Sequence, residues 1–193
     1  MLTVENTMAW LNQFAAQIEQ HQSYLSELDT PIGDGDHGGN MARGLAAVKT
    51  ALATQPADLT KLFQATAMVL ISKVGGASGP LYGTAFLEMA KQSKTDTDLG
   101  TLLAAALAGI EKRGGATTGD KTLIDVWAPV VAAVQAGKLT QTVIDDAVAS
   151  TKPMVAKKGR ASYLGERSAG HLDPGAVSSG YLFTTLLATE GIL

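Results

Sequence analysis

Three aspartates fall within eight positions in Asp29-Thr30-Pro31-Ile32-Gly33-Asp34-Gly35-Asp36-His37-Gly38-Gly39-Asn40, and the next fixed positive charge, Arg43, comes only afterwards. Carboxylates this close repel one another unless a cation joins them. All-oxygen donors select hard cations, and three acids on a short turn leave coordination positions for water and phosphate oxygens, as Mg²⁺ requires beside a nucleotide. A solvated acidic turn would explain Asp and Gly as turn formers, but not three acids together with His37 and Asn40. A calcium loop counted from Asp34 fails, because its fifth and twelfth positions are Gly38 and Leu45. The G-x-G-x-x-G spacing of Gly33 to Gly38 is a chance match: Asp29-Thr30-Pro31 stands where a strand should, and two aspartates would face a pyrophosphate. The glycines and Asn40 lead into a helix beginning near Met41, whose free N–H groups and positive end would lie beside the metal.

Other glycine-rich stretches could complete such a site. Val74-Gly75-Gly76-Ala77-Ser78-Gly79-Pro80 offers a permissive backbone, a hydroxyl and a helix start, although helix packing uses the same residues. Gly114-Gly115-Ala116-Thr117-Thr118-Gly119-Asp120-Lys121-Thr122 resembles a phosphate loop, but Asp120 intrudes between glycine and lysine and the preceding segment reads as helix. Asp120 is expected to cap a helix starting at Lys121. The stretch from Lys157 to Gly175 is a long loop with four strong cations, Lys157, Lys158, Arg160 and Arg167. Loops of this length inside compact domains are usually functional, and Arg160 or Arg167 could clamp phosphate bidentately. Of the histidines, His21 reads as inert on a polar helix face, whereas His37 and His171 stand in these loops. No obvious protein nucleophile stands in these stretches.

The elements that must hold these loops are helices. Apolar residues recur at intervals of three and four from Val4 to Ile18, Met41 to Leu52, Leu59 to Val69, Leu81 to Glu88, Leu99 to Ile110, Leu123 to Val134, Ile144 to Val155 and Val177 to Ala188. No segment alternates with period two, so the chain is expected to be all-α, an antiparallel barrel or bundle of about eight amphipathic helices forming one domain over residues 1–193. Asp58 and Thr140 read as N-caps, Pro80 as lying just inside a helix start, and Gly137 and Gly159 as stops. Pro129 and Pro153 are expected to kink or interrupt their helices. Short connections put alternate loops at one end, where several glycine-rich segments could share a site.

Composition narrows the partners. Fifteen Lys and Arg stand against 18 Asp and Glu, a net charge of -3, so no overall field draws the chain to nucleic acid or anionic lipid. Cysteine is absent, which excludes disulfides and thiolate sites. The longest apolar runs fall short of the ~20 residues of a membrane span, and a soluble cytoplasmic protein is expected.

Taken together, Ile32 to Asn40, Val74 to Gly79, Gly119 to Val126 and Gly159 to Gly175 resemble the L-type subunit family of bacterial dihydroxyacetone kinases, a resemblance that runs over nearly the whole chain. It implies an eight-helix antiparallel barrel with tightly bound ADP at one end, its diphosphate held through two Mg²⁺ ions by Asp29, Asp34 and Asp36. By the same matching His37, Gly38, Gly39, Asn40, Ala77, Ser78, Gly114, Leu123, Arg160, Asp173, Pro174 and Gly175 belong to the nucleotide site, with Leu123 against the base. The resemblance further implies that ADP acts as a coenzyme. It would be rephosphorylated by a phosphohistidine protein of the sugar phosphotransferase system and would pass its phosphoryl group to dihydroxyacetone on a partner subunit. Two alternatives stay open on sequence alone: a nucleotide-sensing module that binds a transcription regulator, and a kinase that exchanges ADP for ATP.

Overall fold

The computed structural model describes all 193 residues. It contains nine α-helices and one 3-10 helix, with no strand. In chain order they are α1 (Val4–Gln20), α2 (Gln22–Asp29), α3 (His37–Leu52), α4 (Leu59–Lys73), α5 (Ser78–Gln92), α6 (Leu99–Gly114), α7 (Ile124–Gln135), α8 (Gln141–Ser150), the 3-10 helix η1 (Arg160–Ser168) and α9 (Pro174–Ala188). Each helix from α3 to α9 packs on the next, α9 packs on α1 and α1 on α3, so eight helices close into a ring. The short α2 lies outside that ring, against α3 and α9. The all-α expectation holds, and no helix is long and apolar enough to cross a membrane.

Helical periodicity explains the closure. Trp10, Phe14, Phe63, Phe86, Trp127 and Phe183 are fully buried in one continuous apolar core to which all eight ring helices contribute. Two indole N–H groups that this burial strips of water find acceptors: Trp10 donates to the Leu182 carbonyl at 2.8 Å and Trp127 to Ser179 Oγ at 3.1 Å.

Caps set the helix starts. Asp58 accepts from the Lys61 N–H at 2.8 Å and Thr140 from the Val143 N–H at 3.3 Å, as their positions in the sequence suggest. Pro80 lies in the first turn of α5. Gly137 follows the end of α7.

Several sequence expectations are corrected. Gly159 ends no helix; α8 stops at Ser150 ahead of Pro153, and Gly159 precedes η1. Pro129 lies within α7, which continues past it. The helix after Asp120 begins at Ile124, and Asp120 instead closes its own turn by accepting from the Thr117 N–H at 2.9 Å. Asp125, in the first turn of α7, ties the preceding turn to the helix start, its carboxylate accepting from the Thr122 N–H at 2.8 Å and from the Gly119 N–H.

Candidate functional site

Four connections gather at one end of the ring: residues 30–36 between α2 and α3, 74–77 between α4 and α5, 115–123 between α6 and α7, and 151–173 between α8 and α9. They enclose a cavity of about 460 Å³, within the size range of small-molecule and cofactor sites.

The acidic turn forms one wall. Asp29 is the last residue of α2, where the helix dipole disfavours a carboxylate. That disadvantage is offset across the turn: Asp29 Oδ2 accepts the backbone N–H of Asp36 at 3.0 Å and of His37 at 3.3 Å, at the opening of α3. Gly33 makes this approach possible, since a Cβ there would stand 2.0 Å from Asp29 Oδ1. Burial raises the Asp29 carboxyl above its ordinary range, the two backbone donors pull against that rise, and the neighbouring Asp34 adds to it. Carboxylate oxygens of Asp29, Asp34 and Asp36 lie within 4.8 Å of one another, with Asp34 and Asp36 exposed. This oxygen-only donor set, open on one side, fits a hard divalent cation. Arg160 reaches across from the α8–α9 segment and pairs with Asp34 at 2.8 Å.

Behind the acids lies a buried polar network. His37 Nδ1 shares a hydrogen bond with Ser78 Oγ at 3.2 Å and His37 Nε2 with Ser178 Oγ at 3.0 Å. Tyr82 OH meets Ser178 Oγ at 2.8 Å and Ser179 Oγ at 2.7 Å. Burial pushes the His37 imidazole down to about 4 and the Tyr82 phenol well up. Hence His37 is neutral, has both ring nitrogens engaged, and acts as a structural link between α3, α5 and α9. Of the other histidines, His21 stacks on Tyr181 with ring centroids 4.8 Å apart, and the His171 carbonyl accepts from Lys121.

Asp173 caps α9, its Oδ2 accepting the Ala176 N–H at 2.7 Å, with Pro174 at the first helical position. Part of the residue faces the cavity, yet burial pushes its carboxyl up to about 7 against the pull of the Ala176 N–H and of Lys121. The remaining wall is apolar: Leu81, Ile110, Ala116, Leu123 and Ile124 offer a surface for a flat ring.

Of the residues singled out in the sequence, Asp29, Asp34, Asp36, His37, Asn40, Ala77, Ser78, Gly114, Leu123, Arg160, Asp173, Pro174 and Gly175 all line this cavity. Gly38 and Gly39 do not. The helix starts at His37 rather than at Met41, which turns Gly38 toward α2, where a Cβ would stand 1.9 Å from the Gln22 carbonyl oxygen. Gly38 therefore lets α2 and α3 approach closely, with its backbone in the first turn of α3. Arg167 is also outside the lining, so of the two candidate arginines only Arg160 borders the cavity.

Sequence reasoning did not single out Arg113 or Lys158, the latter named only among the cations of the long loop, and did not foresee that Lys121 is buried. The first two add positive charge to the cavity lining, and a basic pair just before the Gly114 turn was the available signal for Arg113. Lys121 is 1% exposed; a lone lysine two residues ahead of the mostly apolar stretch Leu123 to Trp127 was the available sign that it would be drawn inside.

A closed ring of helices with an acidic, cation-suited wall, an apolar wall and a basic rim at one end defines a helical barrel built to hold a small anionic ligand through metal. The family model of the DAK2 domain matches residues 31–188, and the chain belongs to that family. It is 54% identical over 188 residues to the protein from Listeria innocua called PEP-dependent dihydroxyacetone kinase 1, ADP-binding subunit DhaL, covering 95% of each chain. It is 48% identical to the PTS-dependent dihydroxyacetone kinase, ADP-binding subunit DhaL of Lactococcus lactis, covering 97% of this chain and 98% of that one. The crystal structure of the dihydroxyacetone kinase from C. freundii in complex with AMP-PNP and Mg²⁺ superposes with a TM-score of 0.78 at 25% identity, over 95% of this chain. The match spans only 33% of that longer protein.

Proposed function

We propose that this chain is the ADP- and Mg²⁺-binding subunit of a cytoplasmic, phosphoenolpyruvate-dependent dihydroxyacetone kinase. Asp29, Asp34 and Asp36 hold two Mg²⁺ ions, which supply charge neutralisation for the diphosphate and for a γ-phosphoryl group in transit. Arg160, paired with Asp34 at 2.8 Å and lining the cavity, stands beside the acids to contact phosphate oxygens. The backbone of residues 77–78 and 173–175 lines the cavity beside the acids, and the apolar wall around Leu123 receives the adenine. His37 orients rather than reacts: neutral and held by Ser78 and Ser178, it ties the acidic turn to α5 and α9. With no nucleophile of its own, the chain acts only when docked to two partners. One is a phosphohistidine protein of the phosphotransferase system that recharges ADP, and the other is a subunit that presents dihydroxyacetone.

The single observation that carries this reading is the convergence of three aspartate oxygens within 4.8 Å of one another on a cavity of nucleotide size. High identity over whole length to chains named as ADP-binding subunits supports it. Mass spectrometry of the undenatured protein is expected to find ADP with two Mg²⁺. Phosphoryl transfer from phosphoenolpyruvate to dihydroxyacetone is expected only with the partner proteins present. A preparation that binds no ADP at any Mg²⁺ concentration overturns the proposal.

A further inference from the structure

The Gly119-Asp120-Lys121-Thr122 turn invites the thought that its lysine grips phosphate, as in a phosphate loop. The ammonium points elsewhere. Lys121 Nζ donates to the carbonyl oxygens of Thr151 at 3.0 Å, Met154 at 3.1 Å, Ser168 at 2.8 Å and His171 at 2.5 Å. These acceptors stand just after α8, just beyond Pro153, at the last residue of η1 and on the approach to α9. One buried cation thus ties together four points of the single segment that joins α8 to α9. An ammonium has only three N–H groups and no acceptor, so four carbonyls converging on it form the kind of oxygen cage that otherwise holds a bare monovalent cation.

The backbone supports the same view. Lys121 has φ +61°, one of only two non-glycine residues with positive φ. A long side chain pays for that conformation only where the surroundings demand it, and here it aims the side chain inward beneath the segment. The neighbouring residue adds a second tie, the Lys157 N–H donating to the Asp120 carbonyl at 3.1 Å. The segment so held carries Lys158, Arg160 and Asp173 to the cavity wall.

We propose that Lys121 is a positioning residue, a tethered internal cation whose carbonyl cage fixes the α8–α9 segment and thereby sets Arg160 and Asp173 at the cavity. The cage stands independently of what the cavity holds; only the predicted effect on affinity rests on the nucleotide reading above.

The test is Lys121→Ala, which removes the equivalent of a propylammonium ion beyond Cβ, in the full-length protein. Hydrogen exchange is followed at three amides that report on the segment: Ala156, bonded to Ser168 Oγ at 2.8 Å, Gly170, bonded to the Lys152 carbonyl at 2.7 Å, and Asp173, bonded to Thr151 Oγ1 at 3.2 Å. Exchange there is expected to quicken by roughly tenfold or more relative to core amides of α5, and Mg·ADP affinity to weaken by roughly tenfold or more, since each tenfold is a modest free-energy change. Added n-propylammonium restores both, and n-propanol restores neither. Unchanged exchange at these amides, or losses that propylammonium leaves uncorrected, overturns the proposal. Should the wild type bind no Mg·ADP while exchange and rescue behave as stated, the nucleotide reading fails and the role of Lys121 stands. If the variant does not fold, the ¹⁵N-labelled ammonium of wild-type Lys121 decides. Its protons exchanging in step with the three amides supports the cage, and free exchange with solvent overturns it.

Discussion

Replacing Asp36 by Asn reverses its effect on stability according to whether metal and nucleotide are present. Asp36 makes no capping hydrogen bond through its side chain, and the bond its backbone N–H donates to Asp29 at 3.0 Å does not depend on that side chain. What Asn removes is a charge whose oxygen lies within 4.8 Å of those of Asp29 and Asp34. Asp34 is already offset by Arg160 at 2.8 Å, so the relief concerns mainly Asp29. For an exposed carboxylate at that separation the repulsion is about 1 kcal/mol or less. In EDTA the variant is therefore as stable as the wild type or more so by up to that amount. With Mg·ADP at a hundredfold excess over its Kd the wild type gains about 2.7 kcal/mol by mass action, and on the proposed function a variant lacking one of the three proposed metal ligands loses most of that gain. Urea unfolding followed by circular dichroism, in EDTA and then in Mg·ADP, measures both. Asp29→Ala serves as the contrast: it strips two backbone donors of their acceptor and is expected to destabilise even in EDTA, by roughly 2 to 4 kcal/mol. Equal gains from Mg·ADP in the wild type and the Asp36→Asn protein refute the shared metal site, as does an equal loss in EDTA for Asp36→Asn and Asp29→Ala.

Gly38→Ala puts a methyl group 1.9 Å from the Gln22 carbonyl oxygen, so α2 and α3 must part; a loss of about 1 to 3 kcal/mol in urea unfolding is expected even without ligand, and unaltered stability with impaired ADP binding would assign Gly38 to the ligand instead. The pH dependence of the ligand-free protein has two opposed components. His37 falls from 6.5 unfolded to about 4 folded, so the native state binds fewer protons and stability is lost as pH drops from 6.5 toward 4, by at most about 3 kcal/mol; His37→Gln removes that acid slope. Asp173 rises from 3.8 unfolded to about 7 folded, so the native state binds more protons and stability declines as pH climbs from 4 toward 7, by at most about 4 kcal/mol; Asp173→Asn flattens it, and retained slopes in the two variants would contradict these assignments.

The helical ring was legible because burial on one face imposes a period, and that period ran through all eight ring helices from Val4 to Ala188. Segments that bury little leave little trace. In α2 only Leu25 and Asp29 are buried, too few to mark a helical period, and so the element that positions Asp29 left no trace in the apolar pattern. The 3-10 helix η1 buries only Ser168 and was invisible for the same cause. Among site residues, the acids and loop glycines were readable from chemistry concentrated in short stretches. The apolar wall was not, because Leu81 and Ile110 carry the same helical pattern as any core residue, and only the gap between loops exposes them to a ligand. The local setting of Gly38 was misread by one turn: starting α3 at Met41 leaves the glycine in a loop, whereas it stands in the first turn of a helix that begins at His37, against α2.

Charge explains why the site requires its parts together. Asp29, Asp34, Asp36 and Asp173 all face one cavity of about 460 Å³, and a diphosphate would bring about three further negative charges there. Two of those acids already show the strain of low solvation, Asp29 and Asp173 both being raised by burial. The cations on hand are committed or peripheral: Arg160 is paired with Asp34, Lys121 is sequestered among four carbonyls, and Arg113 and Lys158 are the only other basic residues in the lining. Side chains alone thus hold an anion only weakly, while divalent ions bound without phosphate must fill the positions the acids leave open with neutral water in place of charged phosphate oxygens. Each species supplies what the other lacks, so metal and nucleotide raise one another's affinity by the same factor, as linkage demands. On the proposed function, withdrawing the metal is therefore expected to release the nucleotide, and dialysis against EDTA followed by nucleotide analysis checks this; ADP that stays bound without metal contradicts the coupling.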